Sequence, residues 1–233
     1  MTVIITGVSR GLGEALVKAF LERGDEVIGI GRHCDITASN FRFLPLDLGN
    51  HSQVEAFTFP GFHAGEIVLI NNAGVLGEVR RTSELEHDIS ADVMQVNVIA
   101  PIELTRKVAR ICGDKIPFTL VNISSGAGQR PIPSWAAYCT SKAALNMFSE
   151  TFYLEEKELG RNTKVYAVSP GVIDTQMQEH IRKAGTADFS AAQNFRDLKE
   201  NGELESPSHI SGKLLKLLNK DFDGSVLQSL RDL

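Results

Sequence analysis

Cysteine is scarce: Cys34, Cys112 and Cys139 are the only thiols in a chain of 233 residues. An odd, widely spaced set excludes a disulfide framework. No C-x-x-C or comparable ligand spacing occurs, so no metal is expected. A reducing compartment, the cytoplasm, is the expected home. Basic runs are missing too. The net charge is −5 and no stretch concentrates Lys and Arg, which argues against nucleic acid as a partner. Long apolar runs are also absent. Val3-Ile4-Ile5 breaks at Gly7, too short for a secretory core or a membrane span. No internal repeat or Gly/Ser-rich linker interrupts the chain, so residues 1–233 read as one domain.

What is present is an alternation of strands and helices. Val3–Ile5, Glu26–Ile30, Phe41–Leu46, Ile67–Ile70, Phe118–Ile123 and Lys164–Val168 read as strands, with another inside Gly224–Leu230. Leu12–Arg23 reads as a helix with Ala15, Leu16, Ala19 and Phe20 on one stripe, stopped by Gly24. Continuous apolar strands separated by helices predict an α/β fold: a doubly wound parallel sheet. Gly31 to Asn40 is too short for a helical crossover, so a loop or single turn is expected there. Gly49 to Glu66 has room for a short helix around Ser52–Phe57. Residues 89–112 and 135–159 predict long helices that are apolar on more than one side. Ile89, Val93, Val96, Ala100, Leu104 and Val108 form one stripe of the first, while Val98, Ile102, Ala109 and Cys112 fall elsewhere. The second carries Leu145, Phe148, Phe152 and Leu159, and also Ala143, Met147, Thr151 and Leu154. A helix on a sheet needs one apolar face. The extra face points either to another subunit, in a homodimer or homotetramer, or to a wide contact within the chain.

Three of the glycines fall within residues 7–13, in Thr6-Gly7-Val8-Ser9-Arg10-Gly11-Leu12-Gly13, after the first strand and at the head of the first helix. Such a turn admits a phosphate to backbone N–H groups at a helix N-terminus; alone, it also serves as simple punctuation. The second strand lacks the terminal acid that binds a ribose 2′-hydroxyl. Gly31-Arg32-His33 stands there instead, and Arg32 with Arg10 suits a 2′-phosphate. The expected cofactor is therefore NADP (NADPH) rather than NAD; Asp35, beyond the strand end, is a weaker ribose ligand.

Tyr138 and Lys142 stand at i and i+4 at the start of a predicted helix, one turn apart on one face. An ammonium there is expected to lower the phenol's pKa and make Tyr138 an acid or base. Ser125 follows the fifth strand, at the sheet edge where ligands of open α/β sheets bind. Asn97 precedes Pro101 by four residues, and proline cannot donate to the Asn97 carbonyl. A kink and a free acceptor suited to a bound water are expected.

With these residues in place, the chain resembles the short-chain dehydrogenase/reductase family along almost its whole length. The matches are T-G-x-x-x-G-x-G, Asp47 in L-D-L, Asn71-Asn72-Ala73-Gly74, Asn97, Ser125, Tyr138, Lys142, and Pro170-Gly171 with Thr175. The resemblance implies a single Rossmann domain of about seven strands in the order 3-2-1-4-5-6-7. It implies a catalytic set in which Tyr138 moves the substrate proton, Lys142 tunes it, Ser125 holds the substrate oxygen and Asn97 supports a water. It also implies a cofactor held by Gly7, Ser9, Arg10, Gly11, Leu12, Gly13, Arg32, Asp47, Leu48, Asn72, Ala73, Gly74, Tyr138, Lys142, Pro170, Gly171, Ile173 and Thr175.

Within the family, the C-terminal half is similar to sepiapterin reductases and bacterial benzil reductases, through Trp135–Ala144, Leu154–Glu156 and Pro170–Gln178. Sepiapterin reductases place an aspartate in the last strand, where this chain has Gln228. The implied activity is NADPH-dependent reduction of a ketone, such as one carbonyl of a 1,2-dicarbonyl. Ser125, Trp135, Tyr138, Met177 and Gln228 would line the substrate, and 174–205 would form a lid. A secondary-alcohol dehydrogenase or 3-oxoacyl-carrier reductase is the alternative within the family. A non-catalytic NADP-binding sensor or scaffold is the alternative outside it. His180 and Cys139 are read as surface and packing residues.

Overall fold

A computed structural model describes residues 1–61, 65–85, 90–183, 189 and 192–232. Its centre is a seven-stranded sheet in the order β3-β2-β1-β4-β5-β6-β7. The strands are β1 (Thr2–Thr6), β2 (Glu26–Gly31), β3 (Phe41–Pro45), β4 (Ile67–Asn71), β5 (Phe118–Ile123), β6 (Lys164–Ser169) and β7 (Leu227–Ser229). Every pairing is parallel. Successive side chains of a strand point to opposite faces. Val3 and Ile5 accordingly join one apolar layer and Ile4 the other. The first layer is completed by α1 (Gly11–Glu22) and α8 (Pro207–Leu218), through Leu16, Phe20, Ile210 and Leu214. The second is completed by α2 (His51–Ala56), α4 (Ala100–Cys112) and α5 (Ala136–Glu158), through Val54, Leu104, Val108 and Phe152.

The stretch from Arg32 to Asn40 contains no helix, as its length required. The helix expected over 89–112 is interrupted: α3 (Ser90–Met94) passes into a π turn at Gln95–Ile99 before α4 begins. Ile89 lies outside the described residues. The Ala100 N–H reaches back five residues to the Gln95 carbonyl. Pro101 explains this, because its ring would collide with the Asn97 carbonyl in a regular helix and it brings no N–H. The wider turn absorbs both effects.

The extra apolar faces divide. Val98 and Cys112 are buried within the chain, so that part of the excess is internal packing. On α5, Ala143, Met147, Thr151 and Leu154 are exposed together, and Met147 reaches 64% exposure. After β6, α6 (Gln176–Lys183) and α7 (Ala192–Glu200) occupy part of 174–205. Residues 184–188, 190 and 191 of that segment lie outside the described residues. Its base is closed by a bridge between Ile173 and Glu205. No helix among the described residues is long and apolar enough to cross a membrane.

Candidate active site

The C-terminal ends of the strands open into one cleft of about 1720 Å³, larger than a single small-molecule pocket needs. Every residue expected to touch cofactor or substrate lines it, from the glycine turn through Arg32, Asp47 and Asn72–Gly74 to Trp135, Met177 and Gln228. Asn97 is the exception among the site residues, being 1% exposed and set behind the wall.

The three glycines of the turn do different things. A Cβ on Gly13 would lie 2.1 Å from the Gly7 carbonyl oxygen, and one on Gly7 would lie 2.9 Å from Ala73 Cα. Both are needed for backbone packing. Gly11, at φ +59, would meet only Thr175, at 3.4 Å, and so lines open space. Arg10 caps α1 without a side-chain bond, which leaves the first N–H groups of that helix without a side-chain acceptor at the cleft. Thr6 Oγ1 accepts from the Asn72 and Ala73 N–H groups, both at 3.0 Å, and Asn72 Nδ2 donates to the Thr6 carbonyl at 2.9 Å. Asn72 is thus a clamp between β4 and the glycine turn. Asp47 turns its own loop by accepting from the Gly49 N–H at 3.0 Å. Among the described residues, neither Arg10 nor Arg32 has an ion-pair or hydrogen-bond partner for its side chain, and both are exposed on the cleft. An uncapped helix end, an open glycine and two unpaired guanidinium groups fit a dinucleotide phosphate.

Across the cleft, the Ser125 hydroxyl lies beside the Tyr138 phenol and favours its ionised form. Ser125 is further held by the Ala127 N–H. Lys142 Nζ donates to the Ile123 carbonyl at 2.8 Å and lies 5.6 Å from the centre of the Tyr138 ring. The expectation of a lowered tyrosine pKa is reversed here. Burial pushes the Tyr138 phenol up to about 12, against the pull of the Ser125 hydroxyl. Burial also brings Lys142 down to about 8. Desolvation dominates both shifts because both groups are buried in the wall of the cleft. Tyr138 is therefore a neutral phenol near neutrality.

The Asn97 side chain is engaged within the chain. Its Oδ1 accepts from the Val75 N–H at 2.8 Å, and its Nδ2 donates to the Val75 carbonyl at 2.8 Å and to Ser141 Oγ at 3.0 Å. It ties the loop after β4 to α5, within one turn of Tyr138 and Lys142. Trp135 stacks on Phe189 at 5.4 Å and meets the Tyr138 ring edge-on at 5.7 Å. Gln228 is drawn back to its own turn, donating to the Ser225 carbonyl at 2.6 Å. His180 is exposed and Cys139 half-buried.

A set of buried amides and hydroxyls, Asn71 apart, escaped sequence reasoning. Asn71 donates to Asn122 at 2.8 Å, Asn122 to Ser149 at 2.8 Å, and Ser124 to Asn146 at 2.5 Å. They fix β4 and β5 to α5 behind the reacting groups. A signal was available: Ser141, Asn146 and Ser149 lie at helical spacing on the face that carries Lys142.

The short chain dehydrogenase family model matches residues 1–185. The chain is 36% identical to a benzil reductase, (S)-benzoin forming, of Bacillus subtilis (strain 168), over 98% of each chain. It is 29% identical to the sepiapterin reductase of Xenopus tropicalis, over 94% of this chain and 91% of that one. The solved structure of YIR035C, a short chain dehydrogenase/reductase from Saccharomyces cerevisiae, superposes with a TM-score of 0.82 and 30% identity, covering 99% of this chain and 96% of that one.

Proposed function

The chain belongs to the short-chain dehydrogenase family and is an oxidoreductase, and on that premise we propose that it is an NADPH-dependent carbonyl reductase. The observation that carries the reading is the Ser125–Tyr138 hydroxyl pair in front of Lys142, facing the same cleft as the glycine turn. Gly11, the N-terminus of α1, Asp47 and Asn72–Gly74 hold the dinucleotide, and Arg10 and Arg32 read its 2′-phosphate. NADPH, when bound, supplies a hydride to the carbonyl carbon. The substrate oxygen replaces the Ser125–Tyr138 contact and accepts a hydrogen bond from each hydroxyl. Tyr138 then passes its proton to that oxygen. Lys142 stabilises the phenolate left behind. Asn97 keeps the loop after β4 and the start of α5 in register, and water reached past Lys142 returns the proton.

The likeness to a benzil reductase supports one carbonyl of a 1,2-dicarbonyl as an acceptor. Gln228 supplies no charge for a pterin. Met177 and Trp135 form apolar walls, and 174–205 closes over the acceptor. The exposed stripe of α5, Ala143 to Leu154, seats a second copy of the chain. Three free thiols suit a reducing cytoplasm. NADPH consumption with a panel of diketones tests the reading. Turnover of a 1,2-diketone with NADPH, and less with NADH, supports it; cofactor binding without turnover of any carbonyl removes it.

A further inference from the structure

Three arginines line the cleft without a part in the reading above: Arg130, Arg182 and Arg231. Arg130 lies in the loop that begins with Ser125, and its Nε and Nη2 stand 3.8 and 3.9 Å from where a Gly126 Cβ would be. Ser169 Oγ, at the end of β6, lies 4.0 Å from the same point. Arg231 follows β7, with its Nε 3.3 Å from where a Gly171 Cβ would be. The two side chains thus follow β5 and β7, on either side of β6, and both line the cleft that Ser125 and Tyr138 face. Among the described residues neither has a side-chain partner. Arg182 of α6 has Nη1 buried with no acceptor, and its Nη2 stands 3.9 Å from Asp174. A buried donor without an acceptor is costly and uncommon in folded proteins. The acids at this end are engaged: Asp174 with Lys199 at 2.5 Å, and Glu179 with a partner of its own.

The phosphates of the dinucleotide have partners of their own. These are α1 and the Arg10–Arg32 pair, on the β1 and β2 side of the cleft. Sheet order sets β5 and β7, whose ends carry Arg130 and Arg231, beyond β4 from β1 and β2. Arg130, Arg182 and Arg231 line this part of the cleft, and an anion on the substrate would answer their charge.

We propose that the preferred acceptor is an oxo acid, a ketone with a carboxylate one or two carbons from the reacting carbonyl, gripped by Arg130 and Arg231 with Arg182 from the lid. The proposal rests on the carbonyl-reductase reading and narrows its substrate class. The ketone carbon gains a hydride and its oxygen gains the Tyr138 proton. The C=O π bond becomes C–H and O–H, NADPH is oxidised to NADP⁺, and the carboxylate is unchanged. The guanidinium fork matches a carboxylate's two oxygens and fixes which face of the ketone meets the cofactor.

Benzoylformate and its neutral methyl ester share the reacting ketone and differ in charge, so the ratio of their kcat/KM values isolates the anion. In Arg130→Gln and in Arg231→Gln the acid-to-ester ratio is expected to fall at least about tenfold, chiefly through KM for the acid. Both side chains are exposed and unpartnered, so folding is not at stake. Arg130→Lys, which keeps the charge and loses the fork, is expected to fall between. Quenching of Trp135, the only tryptophan, gives benzoylformate affinity without turnover, and is expected to weaken in step. Ratios and affinities unchanged within about twofold would overturn the oxo acid. So would a wild type that reduces benzil with NADPH and neither probe; in both cases the carbonyl reductase stands. A wild type that reduces none of the three removes both readings.

Discussion

Replacing Lys142 with methionine separates what the ammonium does in the site from what it costs the fold. Lys142 is 3% exposed, and burial brings its pKa to about 8 from 10.5. In the unfolded chain it returns to the ordinary lysine value. Between about 8 and 10.5 the unfolded chain holds a proton here that the folded chain has lost, so wild-type stability rises with pH across that window. One proton corresponds to about 1.4 kcal/mol per pH unit, and the whole depression to roughly 3 kcal/mol. The methionine variant carries no such proton. Its stability relative to wild type is therefore highest below the window and declines as pH climbs through it. A pH-independent offset adds to this, because the Ile123 carbonyl loses the 2.8 Å bond from Nζ, a loss of about 1–3 kcal/mol. The slope is diagnostic and the absolute difference is not. Urea unfolding of both cofactor-free proteins, from about pH 7 to about pH 10, measures it. Curves that run parallel over that range would refute the depressed lysine.

Arg32→Asp is expected to weaken NADPH binding by at least about tenfold more than NADH binding in a fluorescence titration; equal losses would mean that Arg32 does not read the 2′-phosphate. Gly13→Ala places a methyl 2.1 Å from the Gly7 carbonyl oxygen and 2.5 Å from Asn72 Nδ2. Backbone cannot yield as a flexible side chain does, so a loss of about 1–3 kcal/mol and a lower Tm are expected, and an unchanged Tm would contradict the packing role. Met147→Glu with Leu154→Glu charges the exposed stripe of α5 and is expected to reduce the mass seen by light scattering while leaving the fold intact. A wild type already monomeric would exclude that stripe as a subunit interface.

The strands were legible because each is a short apolar run set off by turn residues, and their order came with the resemblance to the family. The glycine turn, Ser125, Tyr138 and Lys142 were legible from residue type at fixed spacing. Three things were not. The sign of the Tyr138 pKa shift depends on how deeply the phenol is buried, and spacing reports proximity to Lys142 alone. The π turn was legible as a kink at Pro101, but its form depends on how neighbouring carbonyls find new donors. Arg130 and Arg231 lie in loops without periodicity, so nothing in their spacing places them on the cleft that Ser125 faces; sheet order does that by bringing the ends of β5 and β7 to either side of β6.

Hydride transfer itself can be followed with label. With NADPH deuterated at both C4 positions of the nicotinamide, the wild type is expected to convert benzil into benzoin carrying a single deuterium at the carbinol carbon. Tyr138→Phe is expected to bind NADPH as the wild type does and to form product orders of magnitude more slowly. Unlabelled benzoin from the wild type, or undiminished turnover by Tyr138→Phe, would contradict the roles given to the cofactor and to Tyr138.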